Sequence, residues 1–160
     1  MWRLADALTA LATATTPPLW AKRPMAQGDF DWVAYCFLSA NRRSPAGMAM
    51  GAHRDHEAQR RYWVGQERIV HKLLDVCNVT VAEAVGENGV PVLVGFAVWE
   101  PGVIHYVLTR RGFQRMGIAL DLLANVPSQG VTLYSHQPSI RGLPVPAGWF
   151  YDPFQATKHL

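Results

Sequence analysis

The chain has 160 residues, which is enough for one domain that buries a core without disulfide bonds or metal ions. Hydrophobic residues make up 49% and charged residues 17%, a globular composition that excludes an intrinsically disordered chain. A net charge of +3 suits an anionic ligand and suits nucleic acid equally well. No apolar run approaches the length of a membrane span, so we expect no membrane partner.

The two cysteines, Cys36 and Cys77, lie among apolar neighbours and show no paired spacing. This pattern is typical of small core residues in a reducing compartment, and not of a disulfide framework or a zinc site. The sequence therefore predicts a cytoplasmic protein without a bound metal.

The first half of the chain is predicted to be mainly helical. Leucines recur at helical spacing over 1–15, and two prolines end this N-terminal helical extension, residues 1–18. Segment 41–51 is rich in helix breakers, which predicts a loop on the substrate side. Gly65 costs about 1 kcal/mol against alanine in a helix and predicts a kink or a break. The predicted elements are a helix over 1–15, a strand over 19–25, a helix over 30–42 and a long helix over about 54–76.

The second half alternates apolar strands with short turns. Residues 87–89 and 100–102 have compositions typical of hairpin turns. From His136 onward the chain is rich in proline and glycine and ends in an aromatic cluster, which predicts an irregular tail over 136–160. The predicted elements are strands over 78–85, 90–99, 103–109 and 131–135, with a helix over about 113–125 before the last strand.

A strand, a basic turn and a helix follow one another between Val103 and Leu123. Residues 103–109 are β-branched or aromatic and nearly uncharged, which predicts a buried strand. After Gly117 the apolar residues shift toward helical spacing. Such a turn presents unpaired backbone N–H groups at one point, an arrangement that favours an anion and most naturally a phosphate.

The turn Gln114-Arg-Met-Gly-Ile-Ala119 resembles the pyrophosphate-binding signature of the GNAT superfamily of acyl-CoA N-acyltransferases, Gln/Arg-x-x-Gly-x-Gly/Ala. The predicted element order over 19–135 is also that of this family, and the chain is similar to compact GNAT-like proteins encoded by bacteriophages. The resemblance implies an α/β fold of the α+β type, a mostly antiparallel central sheet flanked by helices, in one domain over 1–160. The alternative is an ordinary strand–turn–helix connection with solvated arginines.

The resemblance implies that acetyl-CoA is the co-substrate. The backbone of Leu108 and Thr109 would pair with the pantetheine arm like an extra strand, and one of their N–H groups would face the thioester oxygen. The pyrophosphate would be held by the signature and by a basic residue upstream of it: Arg110, Gln114, Arg115, Met116, Gly117, Ile118 and Ala119.

Acetyl transfer also needs a base for the amine and an acid for the thiolate. His105 on the fourth predicted strand is our first candidate base and His136 at the end of the fifth is the second, because both strand ends should border the cleft. A histidine in a strand is also often structural. Many GNAT members carry the acid as a tyrosine on a helix after the fifth strand, but the tail here predicts no normal helix. Tyr134 and Tyr151 are therefore the substitutes.

Other polar residues allow further interpretations. Glu83 and Glu100 could act as bases through a water molecule. His53 and His56 lie three residues apart without a third ligand, which is more typical of a solvated helix start than of a metal pair. Four arginines could recognise an acidic substrate or a nucleic-acid backbone, or could form a solvated face: Arg42, Arg43, Arg60 and Arg61.

The sequence therefore predicts an N-acetyltransferase that moves an acetyl group from acetyl-CoA to a primary amine by direct attack in a ternary complex. The acceptor could be a small molecule, a protein or a modified nucleic acid. The alternative is a non-enzymatic binding or assembly protein of GNAT fold, which the missing acid favours. A nucleic-acid-binding protein is disfavoured because no stripe of alternating basic and aromatic residues is present. The aromatic tail could close the cleft or dock on a second subunit of a homodimer.

Overall fold

The structure is a computed structural model that describes residues 19–124, 126, 132–137 and 145–160. These residues form an α+β fold around one six-stranded mixed sheet, in which the strands follow one another in chain order. The first four strands are antiparallel, and the last two add to the sheet in parallel. The strands are β1 (Trp20–Pro24), β2 (Asn78–Val85), β3 (Pro91–Glu100), β4 (Val103–Thr109), β5 (Thr132–Tyr134) and β6 (Trp149–Tyr151).

Two long helices confirm the predictions from apolar spacing. The first spans the predicted residues, and the second begins slightly later than predicted because Asp55 caps it by accepting the amides of Glu57 and Ala58. Gly65 does not break this helix. No helix in the described ranges is both long and apolar enough to cross a membrane. The helices are α1 (Phe30–Arg42), α2 (Pro45–Gly51), α3 (His56–Val76) and α4 (Ile118–Leu123).

Helix α2 replaces the loop that we predicted over 41–51, so that prediction is wrong. Ser44 is its N-cap: the Oγ atom accepts the Gly47 amide at 3.2 Å and donates to the Asn41 carbonyl at 2.7 Å. Pro45 occupies the first helical position, where a missing N–H costs nothing. The loop was predicted because Pro45 was counted as a helix breaker, whereas a proline directly after a serine N-cap starts a helix.

Helix α4 is shorter than the helix predicted over 113–125. It begins only at Ile118, and a 3-10 turn (Arg111–Phe113) precedes it. Arg115 and Gly117 lie between them with left-handed backbone, at φ 65° and 85°. Left-handed residues cannot continue a right-handed helix, so the signature residues before Ile118 form a turn.

The tail is more regular than we predicted. Its strand β6 pairs in parallel with β5, and a 3-10 turn (Pro153–Ala156) follows. The prediction of an irregular tail over 136–160 is therefore wrong for 149–156. Pairing with β5 provides hydrogen-bond partners for the backbone of β6. The predicted helix over 1–15 lies outside the described residues.

The sheet carries a hydrophobic cluster on each face. Helices α1 and α3 pack on one face, where the largest buried side chains are Phe37, Phe96 and Leu73. Helix α4 packs on the other face through Ile118 and Leu122. Both cysteines are free and half-buried beside the first cluster, so both are placed near the core as predicted.

Candidate functional site

Strands β4 and β5 separate soon after they meet. The parallel ladder joins residues 103–104 to 133–134 and ends at the hydrogen bond from the Ser135 amide to the Ile104 carbonyl, at 3.2 Å. Among the described residues, no backbone hydrogen bond joins 105–109 to β5. This part of β4, which we call the open edge, can accept a further extended chain.

A cleft of about 280 Å³ opens where β5 ends. It is enclosed by the end of α1, by α2, by α3, by the residues after β5 and by the tail. Two of the three predicted catalytic residues line it, whereas His105 does not. Its polar lining includes Asn41, Tyr62, Gln66, Ser135, His136 and Tyr151.

A chain of hydrogen bonds leads from the cleft into the protein. His136 Nδ1 lies 2.8 Å from Ser135 Oγ, and Ser135 Oγ lies 2.8 Å from His105 Nδ1. His105 Nε2 lies 2.8 Å from Glu100 Oε1. Glu100 Oε1 also lies 2.9 Å from Lys158 Nζ, which is partly exposed. We call this the relay; it connects the cleft to the surface through three buried side chains.

The ionised state of Glu100 determines which relay atom carries each proton. A carboxylate only accepts, so His105 must carry its proton on Nε2 and offer Nδ1 as an acceptor. The Ser135 hydroxyl therefore donates to His105 and accepts from Nδ1–H of His136. This leaves Nε2 of His136, a cleft-lining side chain, as an unprotonated nitrogen that can take a proton.

The pKa values agree with this assignment. Burial pushes the pKa of Glu100 up, but the hydrogen bonds from Lys158, His105 and His159 outweigh it and leave the pKa below its usual value. Burial lowers the pKa of His105, although Glu100 acts in the opposite direction. Burial, together with the neighbouring His105 ring, lowers the pKa of His136 to about 3. Both histidines are thus neutral at physiological pH.

Tyr151, the candidate acid, has a pKa raised by burial and by the nearby Tyr134, so its phenol keeps its proton at neutral pH. The two rings lie 5.4 Å apart between centroids. Of the two, only Tyr151 lines the cleft.

The signature residues form the turn between β4 and α4, at the far end of the open edge. Among the described residues, the amides of 114–119 have no hydrogen-bond acceptor. The space beside Gly117 is open. Successive free amides next to left-handed backbone make a concave site for an anion.

The other predicted cofactor residues surround this turn. Arg110 donates to the Leu93 carbonyl at 3.3 Å and keeps an exposed guanidinium, while Gln114 donates to the Thr109 carbonyl at 3.4 Å. Arg115 is exposed. The remaining members are more buried: Ile118 is part of the core, Leu108 and Met116 pack against it, and Ala119 is half-buried.

Two buried polar side-chain atoms have no hydrogen-bond partner among the described residues: Thr109 Oγ1, at the end of β4, and Gln137 Oε1, which belongs to the cleft lining. Unpaired buried polar atoms are uncommon and point to a missing partner.

Sequence reasoning missed several residues of the site. Ser135 links both candidate histidines, and the available signal was its position next to His136, at the end of the strand predicted over 131–135. Asn41 donates to Gln66 at 2.8 Å across the cleft wall, from a segment that we predicted to be a loop. Their proximity depends on helix packing, which spacing along the chain does not reveal.

The remaining candidates do not line the cleft. Glu83 pairs with Arg23 at 3.0 Å on the sheet. His53 and His56 are both exposed, and His53 Nδ1 accepts the Asp55 amide. Arg60 and Arg61 pair with Glu57 on the outer surface of α3. Arg42 lies over the ring of Trp63, and Arg43 is exposed.

Comparisons with known proteins do not identify a family for this chain. No family model matches the sequence, and no curated protein matches it. Among solved structures, the solution structure of apo-form YjaB from Escherichia coli is similar, with a TM-score of 0.42 and 17% sequence identity, over 68% of this chain and 67% of that chain. This is a weak likeness in fold, and we draw no function from it.

Proposed function

We propose that this protein has the GNAT fold and is an acyl-CoA-dependent N-acetyltransferase, which moves an acetyl group from acetyl-CoA to a primary amine by direct attack in a ternary complex. The observation that carries the proposal is the open edge of β4, which leads directly into a turn of free amides. An extended pantetheine arm needs the first feature, and a pyrophosphate needs the second.

On the donor side, Leu108 and Thr109 of the open edge would hold the pantetheine arm by strand-like hydrogen bonds. One of their amides would face the thioester oxygen, where negative charge develops during attack. The unpaired Thr109 Oγ1 supports this role, because a polar ligand would supply its missing partner.

The pyrophosphate would rest against the amides of 114–119, with Arg110 and Arg115 adding positive charge. Helix α4 has only six residues, so the turn amides and the two guanidinium groups supply most of this attraction, and the helix dipole supplies little. Gly117 leaves the approach open because it has no Cβ.

On the acceptor side, His136 would take the proton of the attacking amine at Nε2. Its Nδ1–H would pass to Ser135, the Ser135 proton to His105, and the His105 proton to Glu100. His105 is in this scheme a positioning residue that acts from behind the cleft, and Glu100 receives the proton. Tyr151 would protonate the leaving thiolate of CoA.

The first test is calorimetric titration with acetyl-CoA of the wild type, of Gly117→Glu and of Gly102→Glu. The two glycines have similar left-handed backbone, at φ 85° and 79°, and both have open space beside them. They therefore carry the same backbone strain, but Gly102 lies at the opposite end of β4. We expect micromolar binding in the wild type and in Gly102→Glu, and its loss in Gly117→Glu, whose carboxylate repels a pyrophosphate.

Equal loss of binding in both variants would show that strain is responsible and would contradict the pyrophosphate site. No binding in the wild type would overturn the acetyltransferase. Binding without transfer to any of a panel of primary amines would favour the alternative, a non-enzymatic GNAT-fold binding or assembly protein. The described residues after β5, 135–137 and 145–160, contain no α-helix that could carry the usual tyrosine acid, which is the observation in favour of that alternative.

A further inference from the structure

Three side chains with metal-binding atoms meet at the end of the sheet away from the signature turn. Cys77 follows α3, Glu100 ends β3, and His159 lies next to the end of the chain. One ligand atom from each lies within 4.8 Å of the other two. All three residues are partly accessible, so an ion can reach them from solvent.

The types of ligand atom suit zinc. Thiolate sulfur, imidazole nitrogen and carboxylate oxygen are the usual donors to Zn²⁺, and three of them with one open position form a familiar tetrahedral arrangement. Bonds of about 2.0–2.3 Å place tetrahedral ligand atoms about 3.3–3.8 Å apart. His159 Nε2 lies 3.3 Å from both carboxylate oxygens of Glu100. That spacing is long for a charge-assisted hydrogen bond and matches two ligands of one ion.

The two carboxylate oxygens of Glu100 have different numbers of hydrogen-bond partners. Oε1 is close to His105 at 2.8 Å and Lys158 at 2.9 Å, whereas the contact to His159 at 3.3 Å is the only hydrogen bond to Oε2 among the described residues. Oε2 is thus available to an ion while His105 holds the carboxylate through Oε1. Carboxylate ligands of metals are commonly oriented by such an outer hydrogen bond.

We propose that Cys77, Glu100 and His159 form a binding site for Zn²⁺ with one coordination position open to solvent, contrary to the metal-free protein expected from the cysteine pattern. Lys158 is the competing cation: its ammonium neutralises Glu100 in the metal-free protein and moves away when the ion binds. Its side chain is 38% exposed, so this movement breaks no core packing. The site does not depend on the proposed acetyltransferase activity.

Binding would release a proton from the cysteine. Burial and the neighbouring Glu100 raise the pKa of Cys77 to about 11, so the thiol is protonated in the metal-free protein. The thiolate is the form that binds the ion.

The test is titration of the chelator-treated full chain with Co²⁺, a spectroscopic substitute for Zn²⁺, followed by competition with Zn²⁺. Bonding of a thiolate to tetrahedral Co²⁺ produces a charge-transfer absorption band. We expect this band in the wild type and in Cys36→Ser, and its absence in Cys77→Ser. The two cysteines are matched controls, because both are half-buried and only Cys77 lies beside Glu100 and His159.

Lys158→Gln distinguishes a metal site from a cluster of ion pairs. If the ammonium competes with the ion, its removal raises the affinity about tenfold or more, which corresponds to the loss of about 1.4 kcal/mol of competing interaction. His159→Gln should weaken binding, with circular dichroism as the check that each variant is folded. A wild type without the band, a band that persists in folded Cys77→Ser, or a Lys158→Gln variant with unchanged affinity would each overturn the proposal.

Discussion

Ser135 is the residue on which the relay depends. Its hydroxyl contacts a ring nitrogen of His105 and one of His136, both at 2.8 Å, in a region where all three side chains are buried. A hydroxyl can donate one hydrogen bond and accept another. Here it donates to the unprotonated nitrogen of His105 and accepts the N–H of His136. No apolar side chain of similar size meets both needs.

Ser135→Ala should destabilise the protein by about 1–3 kcal/mol, because it leaves two buried ring nitrogens without partners. Unfolding in urea measures this loss. Ser39→Ala on α1 is the control, with an expected change within about 0.5 kcal/mol, since Ser39 makes no side-chain hydrogen bond among the described residues. Under the proposed function, Ser135→Ala should also lower kcat and leave acetyl-CoA binding unchanged. A variant as stable as the wild type would contradict the relay.

At the scale of elements, helix α4 lies close to the sheet because of a glycine in β3. A Cβ atom added to Gly95 would lie 2.8 Å from the Leu108 carbonyl and 3.2 Å from Ile118 Cγ2. Because Gly95 has no side chain, both α4 and the open edge of β4 can pack closely against β3 at this residue. This close packing determines where the signature turn is held.

We predict opposite effects for the same substitution at two glycines. Gly95→Ala should destabilise by about 1–3 kcal/mol through overpacking. Gly65→Ala, on α3 where a Cβ meets nothing within 4 Å, should stabilise by about 0.4–1 kcal/mol. Chemical denaturation of both variants gives the comparison. A Gly95→Ala variant as stable as the wild type would show that the packing of α4 against β3 is looser than described.

At the scale of the whole molecule, buried histidines make stability depend on pH. His136 has a folded pKa of about 3, whereas an unfolded histidine has a pKa of about 6.5. Between these values the unfolded chain binds a proton that the folded chain excludes. The free energy of unfolding therefore falls as the pH decreases below about 6.5, by up to about 1.4 kcal/mol per pH unit for one group. The lowered pKa of His105 acts in the same direction.

Urea unfolding at about pH 7 and about pH 5 should show this loss, and His136→Gln should show a smaller one. The carboxyls of Asp29 and Asp121, whose pKa values are lowered by Arg23 and Lys22, lose their stabilising contribution only below about pH 4. They do not affect this comparison. Equal stability at the two pH values would show that His136 is not buried as described.

The sequence by itself determined the elements that local spacing defines. The helix over 30–42, the long helix after Asp55 and the three central strands follow from apolar periodicity and from short turns, which act between neighbouring residues. The signature turn was also predicted from sequence, by the resemblance of 114–119 to a pyrophosphate-binding signature, although the helix predicted over 113–125 overlapped it. The loop predicted over 41–51 was wrong for a local reason that a Ser-Pro start signal could have corrected.

Only the tertiary structure decided which of these residues meet. Ser135 joins His105 to His136 because β5 pairs only with the beginning of β4. His136 lines the cleft, whereas His105 does not. Cys77, Glu100 and His159 come together from segments far apart in sequence. Register, strand separation and helix docking depend on long-range packing, and a pattern read along one stretch of chain carries no information about the distance between two such stretches.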